Sequence, residues 1–68
     1  MRFLSPSKAA SRLGVSVKAL RIYEQRGLMT PTRTEAGWRS YGPAEMQRAG
    51  EIVALRALGV SLAQVASV

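Results

Sequence analysis

Two predicted helices follow each other in the first half of the chain with only the tripeptide GVS between them. The first begins after Ser5, a favourable N-cap, and has Pro6 at its first position, where a missing N–H breaks no hydrogen bond. Gly14 ends this helix, because glycine readily adopts the left-handed conformation that closes helices. The second helix begins after Ser16 and ends at Gly27. Helices joined by so short a turn form a helix-turn-helix motif, or else a plain αα-hairpin without a ligand.

The faces of the second helix favour the helix-turn-helix interpretation. Leu20 and Tyr23 share one face and are predicted to be buried, whereas Lys18, Arg21 and Gln25 lie toward other faces. In a DNA-binding helix-turn-helix, the second helix enters the major groove with its N-terminal residues toward the bases. Cationic side chains on the exposed side of this helix are therefore where such a protein would meet DNA.

The whole chain is strongly basic. Its 68 residues contain 10 Lys and Arg against 4 acidic residues, for a net charge of +6, and most of the cations are arginine. Arginine donates paired hydrogen bonds to phosphate, so a polyanion is the expected partner. The chain contains neither Cys nor His, which removes disulfides, the common zinc ligands and the usual general base. No catalytic residues, cofactor or metal are therefore expected, and the chain is not expected to be an enzyme.

The stretch TPTRTEAGWRSYG, residues 30–42, predicts a β-hairpin. Pro31 argues against a helix and Gly37 marks a turn. Two short strands at residues 29–33 and 38–41 would then flank TEAG. A hairpin that follows a helix-turn-helix is the arrangement found in a winged helix.

Two further helices complete the predicted fold. The third begins at Pro43, ends at Gly59 and has a buried face around Ile52. The fourth begins at Ser61, whose spacing from Gln64 is that of a capping box. We therefore expect one mainly α domain over residues 1–68, a winged helix-turn-helix of about four helices with a short β-hairpin wing. The fourth helix stops barely two turns in, as expected if a longer protein continues, and the lack of a signal peptide or membrane span predicts a cytoplasmic location.

The stretches GVSVKALRIYEQRGLMTPTRTEAGWRSY and ALRALGVSLAQV resemble, in order and spacing, the DNA-binding domain of the MerR family of bacterial transcription regulators. The resemblance covers about residues 4–68, and these blocks together are highly specific. Two positions depart from the family pattern. Ile22 replaces the first tyrosine of the family's L-R-Y-Y-E block, which predicts a difference in specificity. Trp38 replaces a tyrosine of the wing and keeps an aromatic body with one N–H donor.

The resemblance implies a winged helix-turn-helix whose hairpin is the first wing and whose last two helices form the second wing and its support. Full-length relatives continue into a long helix that pairs two subunits and then into an effector domain, and neither part lies in this chain. The implied partner is double-stranded promoter DNA, with RNA polymerase engaged indirectly through bending of the promoter. The resemblance thus implies a homodimer for the full-length protein and a monomer for these 68 residues.

The expected DNA-binding residues lie on the second helix and on the hairpin. Residues at the start of the second helix would face bases, and Arg21 would contact guanine or a phosphate unless it pairs with Glu24. On the hairpin, Arg39 would lie against the phosphate backbone. The hydroxyl of Tyr41 would contact phosphate, or its side chain would instead pack the hairpin. Trp38 would either pack the hairpin onto the body or touch the sugar-phosphate edge. The full predicted set is Ser16, Val17, Lys18, Arg21, Arg33, Arg39 and Tyr41.

Two other functions remain compatible with the residues. An excisionase-like architectural factor has a related winged helix, is often about this size and bends DNA to organise recombination. A protein-interaction module could instead use the same basic surface to bind an acidic partner. Competition by nonspecific duplex DNA would separate the second alternative from DNA binding.

Overall fold

A computed structural model describes residues 3–67 of the chain. The elements, in chain order, are α1 (Pro6–Leu13), α2 (Val17–Gln25), β1 (Thr32–Arg33), β2 (Arg39–Ser40), α3 (Pro43–Ala57) and α4 (Leu62–Ser67). The predicted fold class is confirmed: the domain is mainly helical, with four helices and one small antiparallel hairpin in the described range.

The predicted helix caps form around the first two helices. Ser5 Oγ accepts the N–H of Lys8, and Ser16 Oγ accepts the N–H of Ala19 at 3.0 Å, so each serine satisfies an otherwise unpaired first-turn donor. Gly14 has φ 73°, which is the left-handed conformation required to close α1 and turn toward α2. The turn of the helix-turn-helix is therefore fixed by local chemistry on both sides.

The hairpin is shorter than predicted. Thr32 pairs with Ser40 and Arg33 with Arg39, and the turn between them is closed by hydrogen bonds of Thr34 with Trp38 and Gly37. Tyr41 leaves this ladder and exchanges two backbone hydrogen bonds with Leu4, of 2.8 and 2.9 Å. The segment before α1 is thereby bridged to the end of the hairpin, and this bridge links the hairpin to the body of the domain.

The remaining helices pack on this unit. Glu45 accepts the backbone N–H of Gly42 at 2.8 Å and the hydroxyl of Thr32 at 3.1 Å, so the start of α3 is linked to the hairpin. Ser61 and Gln64 form the predicted reciprocal capping box at the start of α4. The short α4 is held through Val65, whose side chain is fully buried.

One core unites all the helices and the hairpin. It is formed by buried residues of each helix, the loop after α2 and the end of the hairpin: Ala9, Ala10, Leu20, Tyr23, Leu28, Met29, Tyr41, Ala49, Ile52 and Val65. The buried faces predicted for α2 and α3 are therefore confirmed. Among residues 3–67, no helix has the length and apolar character needed to cross a membrane.

Candidate nucleic-acid interface

The exposed side of α2 forms a shallow groove. The groove has a volume of about 450 Å³ and is lined by Val17, Lys18, Arg21, Ile22 and Gln25. These residues follow the three-and-four spacing of one helical face, opposite the buried Leu20 and Tyr23. The groove combines cationic and amide side chains with two aliphatic ones, which is a surface able to make both polar and apolar contacts.

Glu24 joins the hairpin to α2. Its Oε1 accepts from Nε of Arg39 at 2.6 Å, and its Oε2 accepts from Nη2 of Arg33 at 3.3 Å. The same carboxylate therefore clamps one arginine from each strand of the hairpin. The alternative pairing of Arg21 with Glu24 is not formed between these described residues, which leaves Arg21 exposed beside the groove.

Three guanidinium groups act on the hydroxyl of Tyr41. Burial of that hydroxyl, together with the nearby Glu24 carboxylate, raises the pKa of Tyr41, while the positive charges of Arg39, Arg21 and Arg33 oppose the rise. Arg33 and Arg39 both bind the Glu24 carboxylate, and Arg21 lies about one turn before Glu24 on the same helix, so these arginines lie where α2 meets the hairpin. Three cations offset by one carboxylate leave a net positive surface there.

The predicted contact of Tyr41 with phosphate is corrected by its burial. Its side chain is fully buried, and its hydroxyl oxygen is closed off from solvent without a hydrogen-bond partner among residues 3–67. An oxygen inside the core cannot reach a phosphate of a duplex docked on the surface. Tyr41 therefore packs the end of the hairpin into the core, which was the alternative role for this residue.

Trp38 has the opposite environment. Its backbone is held in the hairpin turn by Thr34, yet its side chain is 73% exposed. The indole does not pack the hairpin onto the body, so of the two predicted roles only the contact outside the protein is open to it. A large exposed aromatic next to arginine-bearing strands is a surface suited to a sugar-phosphate edge.

The first residues of α2 divide between capping, packing and exposure. The hydroxyl of Ser16 is engaged by the N–H of Ala19, and Val17 is partly buried against the core while its edge lines the groove. Lys18 is exposed on the groove wall. Of these three residues, Lys18 has the most available side chain.

The two arginines of α3 have partners within the protein. Arg48 donates from Nε to the carbonyl of Leu28 at 2.9 Å and pairs with Glu51 one turn along α3. Arg56 donates from Nη1 to the carbonyl of Val60, in the loop between α3 and α4. Through these carbonyl contacts, both arginines link α3 to its neighbouring loops.

Two residues of the groove were missed as site residues. Gln25 was placed on an outer face without a role. Ile22 was predicted to change specificity, as a departure from the family pattern, but was not included among the DNA-binding residues. Their positions follow from spacing, because Ile22 lies four residues after Lys18 and Gln25 lies four after Arg21. The double pairing of Glu24 had no such signal, since it joins residues 9 and 15 positions apart.

A capped helix-turn-helix, a hairpin clamped to its second helix and a cationic surface between them define a winged helix-turn-helix domain of the DNA-binding class. The family model described as "MerR HTH family regulatory protein" matches residues 4–68. The chain therefore belongs to the MerR family, and it corresponds to the DNA-binding domain of a transcriptional regulator.

Similar proteins agree with this assignment. The chain is 41% identical over 61 residues to a "Probable heavy metal-dependent transcriptional regulator" of Haemophilus influenzae, covering 88% of this chain and 48% of that protein. It is 46% identical over 57 residues to "Nodulation protein NolA" of Bradyrhizobium diazoefficiens, covering 82% of this chain and 24% of that protein. The chain thus spans about half or less of the length of these curated relatives.

Solved structures give the same fold. "HiNmlR, a MerR family regulator lacking the sensor domain, bound to promoter DNA" superimposes with a TM-score of 0.88 at 28% identity, over 97% of this chain and 51% of that one. A MerR family regulator from Bacillus cereus superimposes with a TM-score of 0.87 at 32% identity, over 94% of this chain and 48% of that one. The family match favours a transcription regulator over an excisionase-like factor.

Proposed function

We propose that this domain binds double-stranded promoter DNA with α2 in the major groove and the hairpin on the adjacent phosphate backbone. The observation that supports this most strongly is the pairing of Arg33 and Arg39 with Glu24, on the same helix whose outer groove Lys18 and Arg21 line. Helix-turn-helix proteins bind DNA in this way: one helix contacts the bases in the major groove, and cations beside it contact the phosphate backbone. A protein of similar structure is bound to promoter DNA, which supports promoter DNA as the ligand.

The contacts divide by position. Lys18 and Arg21, with Gln25 one turn beyond, are proposed to reach base edges or the phosphates at the groove rim, since they line the groove of α2. Arg33, Arg39 and Trp38 are proposed to position the hairpin against the backbone. Backbone contacts fix orientation, whereas contacts in the groove supply sequence preference.

In this proposal, Glu24 orients the guanidinium groups of Arg33 and Arg39 on the hairpin. Because each guanidinium has five N–H donors and Glu24 occupies only part of them, Arg33 and Arg39 retain donors for phosphate. The carboxylate also repels phosphate, so the backbone is expected to pass on the arginine side of Glu24. The clamp thus favours one placement of the duplex over others.

We further propose that the domain acts as part of a homodimer in the cytoplasm. One domain makes only a few phosphate contacts, each contributing about 0.9 to the slope of log affinity against log salt, so a monomer binds weakly and salt-sensitively. Two domains on two half-sites would give useful affinity. By analogy with the family, such a dimer would bend the promoter so that RNA polymerase engages it.

Arginine-to-alanine variants test the docking. Arg21→Ala and Arg39→Ala should each weaken duplex binding and reduce the salt slope by about 0.9 if a phosphate contact is lost. Arg26→Ala is the matched control, because Arg26 follows the last turn of α2 outside the groove and carries the same charge. Binding would be measured by fluorescence anisotropy of a labelled duplex, after circular dichroism confirms that each variant is folded. Equal effects of all three substitutions would show that only net charge matters and would refute the proposed docking.

A further inference from the structure

Ile22 has a place on α2 that the core does not explain. Its side chain is partly buried, but it does not belong to the hydrophobic cluster that includes Leu20, Tyr23 and Val17. It lines the surface groove instead, between Lys18 one turn before it and Gln25 one turn after it. A branched aliphatic side chain therefore lies in the middle of a face whose other members are mostly polar.

An aliphatic side chain in this position restricts what the groove can bind. It has no donor or acceptor, so it cannot replace a hydrogen bond to a base edge and leaves any polar group opposite it unpaired. In the major groove, the apolar feature that a base pair presents is the 5-methyl group of thymine. The neighbouring cation Arg21 and amide Gln25 remain available for the polar edges around it.

We propose that Ile22 is a specificity-determining residue that packs on the methyl group of one thymine in each half-site. This inference rests on the proposed function, because it requires α2 to lie in the major groove. The flanking Lys18 and Arg21 hold the helix near the duplex, and Ile22 then favours thymine at the base pair that faces its side chain. Cytosine, which lacks the methyl group and presents an amino donor at the same edge, is disfavoured there.

Replacement of thymine by deoxyuridine gives a direct test. Duplexes selected from a random library by the 68-residue chain at low salt would be resynthesised with deoxyuridine at one thymine position at a time. This change removes only the methyl group and keeps every hydrogen-bonding atom of the base. One position should lose about fourfold in affinity, which is the contribution of one buried methyl group.

The variant Ile22→Ala completes a double-mutant cycle. It should bind the thymine duplex several-fold more weakly than the unsubstituted chain does. Deoxyuridine at the position where it weakens binding of the unsubstituted chain should have no effect on the affinity of Ile22→Ala. Leu58→Ala is the matched control, since Leu58 is a highly exposed aliphatic residue outside the groove, and it should retain the full deoxyuridine effect. Thermal unfolding confirms that both variants are folded.

The outcomes separate the two proposals. A chain that binds a selected duplex but shows no sensitive thymine, or whose sensitivity persists in Ile22→Ala, overturns the role of Ile22 and leaves the proposed function intact. A chain that selects no duplex, while nonspecific DNA also fails to bind at low salt, refutes the proposed function and this inference with it.

Discussion

Replacing Glu24 with glutamine tests whether charge holds the hairpin against α2. The Glu24 side chain is 21% exposed, and those of its partners Arg39 and Arg33 are 26% and 48% exposed. The Arg39 pair is both shorter and better shielded from solvent, so we assign it about 1 kcal/mol and the screened Arg33 pair about 0.5 kcal/mol. Glu24→Gln should therefore lower the free energy of unfolding by about 1.5 kcal/mol.

The same substitution should change DNA binding in a separate way. Loss of the carboxylate charge weakens the hold on the guanidinium groups of Arg39 and Arg33, of which Arg33 keeps its bond to the Gly37 carbonyl, and removes a negative charge that repels phosphate. One additional effective phosphate contact would steepen the salt slope of binding by about 0.9. Nonspecific binding at low salt should become tighter even though the folded state is less stable.

Urea unfolding followed by circular dichroism would measure the stability change, and fluorescence anisotropy over a series of salt concentrations would measure the slope. Glu51→Gln is the matched control, because Glu51 forms a single exposed pair with Arg48 on α3 and its loss changes the net charge equally. This control should cost under about 0.5 kcal/mol and leave the slope unchanged. If the two variants behave alike in both assays, Glu24 does not clamp the hairpin and the reasoning is refuted.

Three further substitutions test the packing and electrostatics. Tyr41→Phe removes a buried hydroxyl without a partner in the described range, so it should stabilise the fold by up to about 1 kcal/mol in urea unfolding and leave DNA affinity unchanged; a loss of affinity would reinstate the phosphate contact. Gly50→Ala adds a methyl group inside α3 that meets only Leu13 Cδ2, at 3.9 Å. It should raise stability by up to about 1 kcal/mol, and a lower midpoint in thermal unfolding would contradict this. Backbone N–H groups of Glu45 and Gly42 hold the pKa of Glu45 below its ordinary value of 4.5, against a smaller opposing effect of burial. The unfolded state then binds more protons in this range, so the stabilisation is present above pH 4.5 and is lost as the pH falls through the lowered pKa. Glu45→Gln should reduce this acid sensitivity of the urea midpoint, and identical pH profiles would refute it.

The parts of the fold that were predictable from sequence depend on local chemistry. The caps at Ser5 and Ser16, the left-handed Gly14 and the capping box of Ser61 with Gln64 each involve residues within four positions of one another. Such contacts follow from side-chain type and spacing alone. The helices and the turn of the helix-turn-helix were therefore predictable to within a few residues.

The contacts that shape the hairpin could not be predicted in this way. Tyr41 pairs with Leu4, 37 positions earlier, and leaves the strand alternation that a longer hairpin would have kept. That pairing carries the Tyr41 ring into the core, whereas Trp38, in the turn, stays outside. From the sequence, each aromatic could either pack in the protein or contact the DNA backbone, because no local feature shows which of the two is buried.

The candidate site shows the same division. The position of Lys18 and Arg21 on the outer face of α2 followed from helical spacing. Their relation to Arg33 and Arg39 depends on where the hairpin folds back, and Glu24 fixes that contact across the loop. The sequence thus identified most of the cations, but their gathering beside one groove is a property of the tertiary structure.

Amide chemical shifts during titration with a duplex would test the central claim most directly. With ¹⁵N-labelled protein at low salt, the largest changes should fall on Lys18, Arg21 and Ile22 of α2 and on the indole N–H of Trp38. The exposed face of α3 around Gln47 should change little. Changes concentrated on α3, with the α2 amides unmoved at saturation, would contradict a duplex docked on α2 and the hairpin.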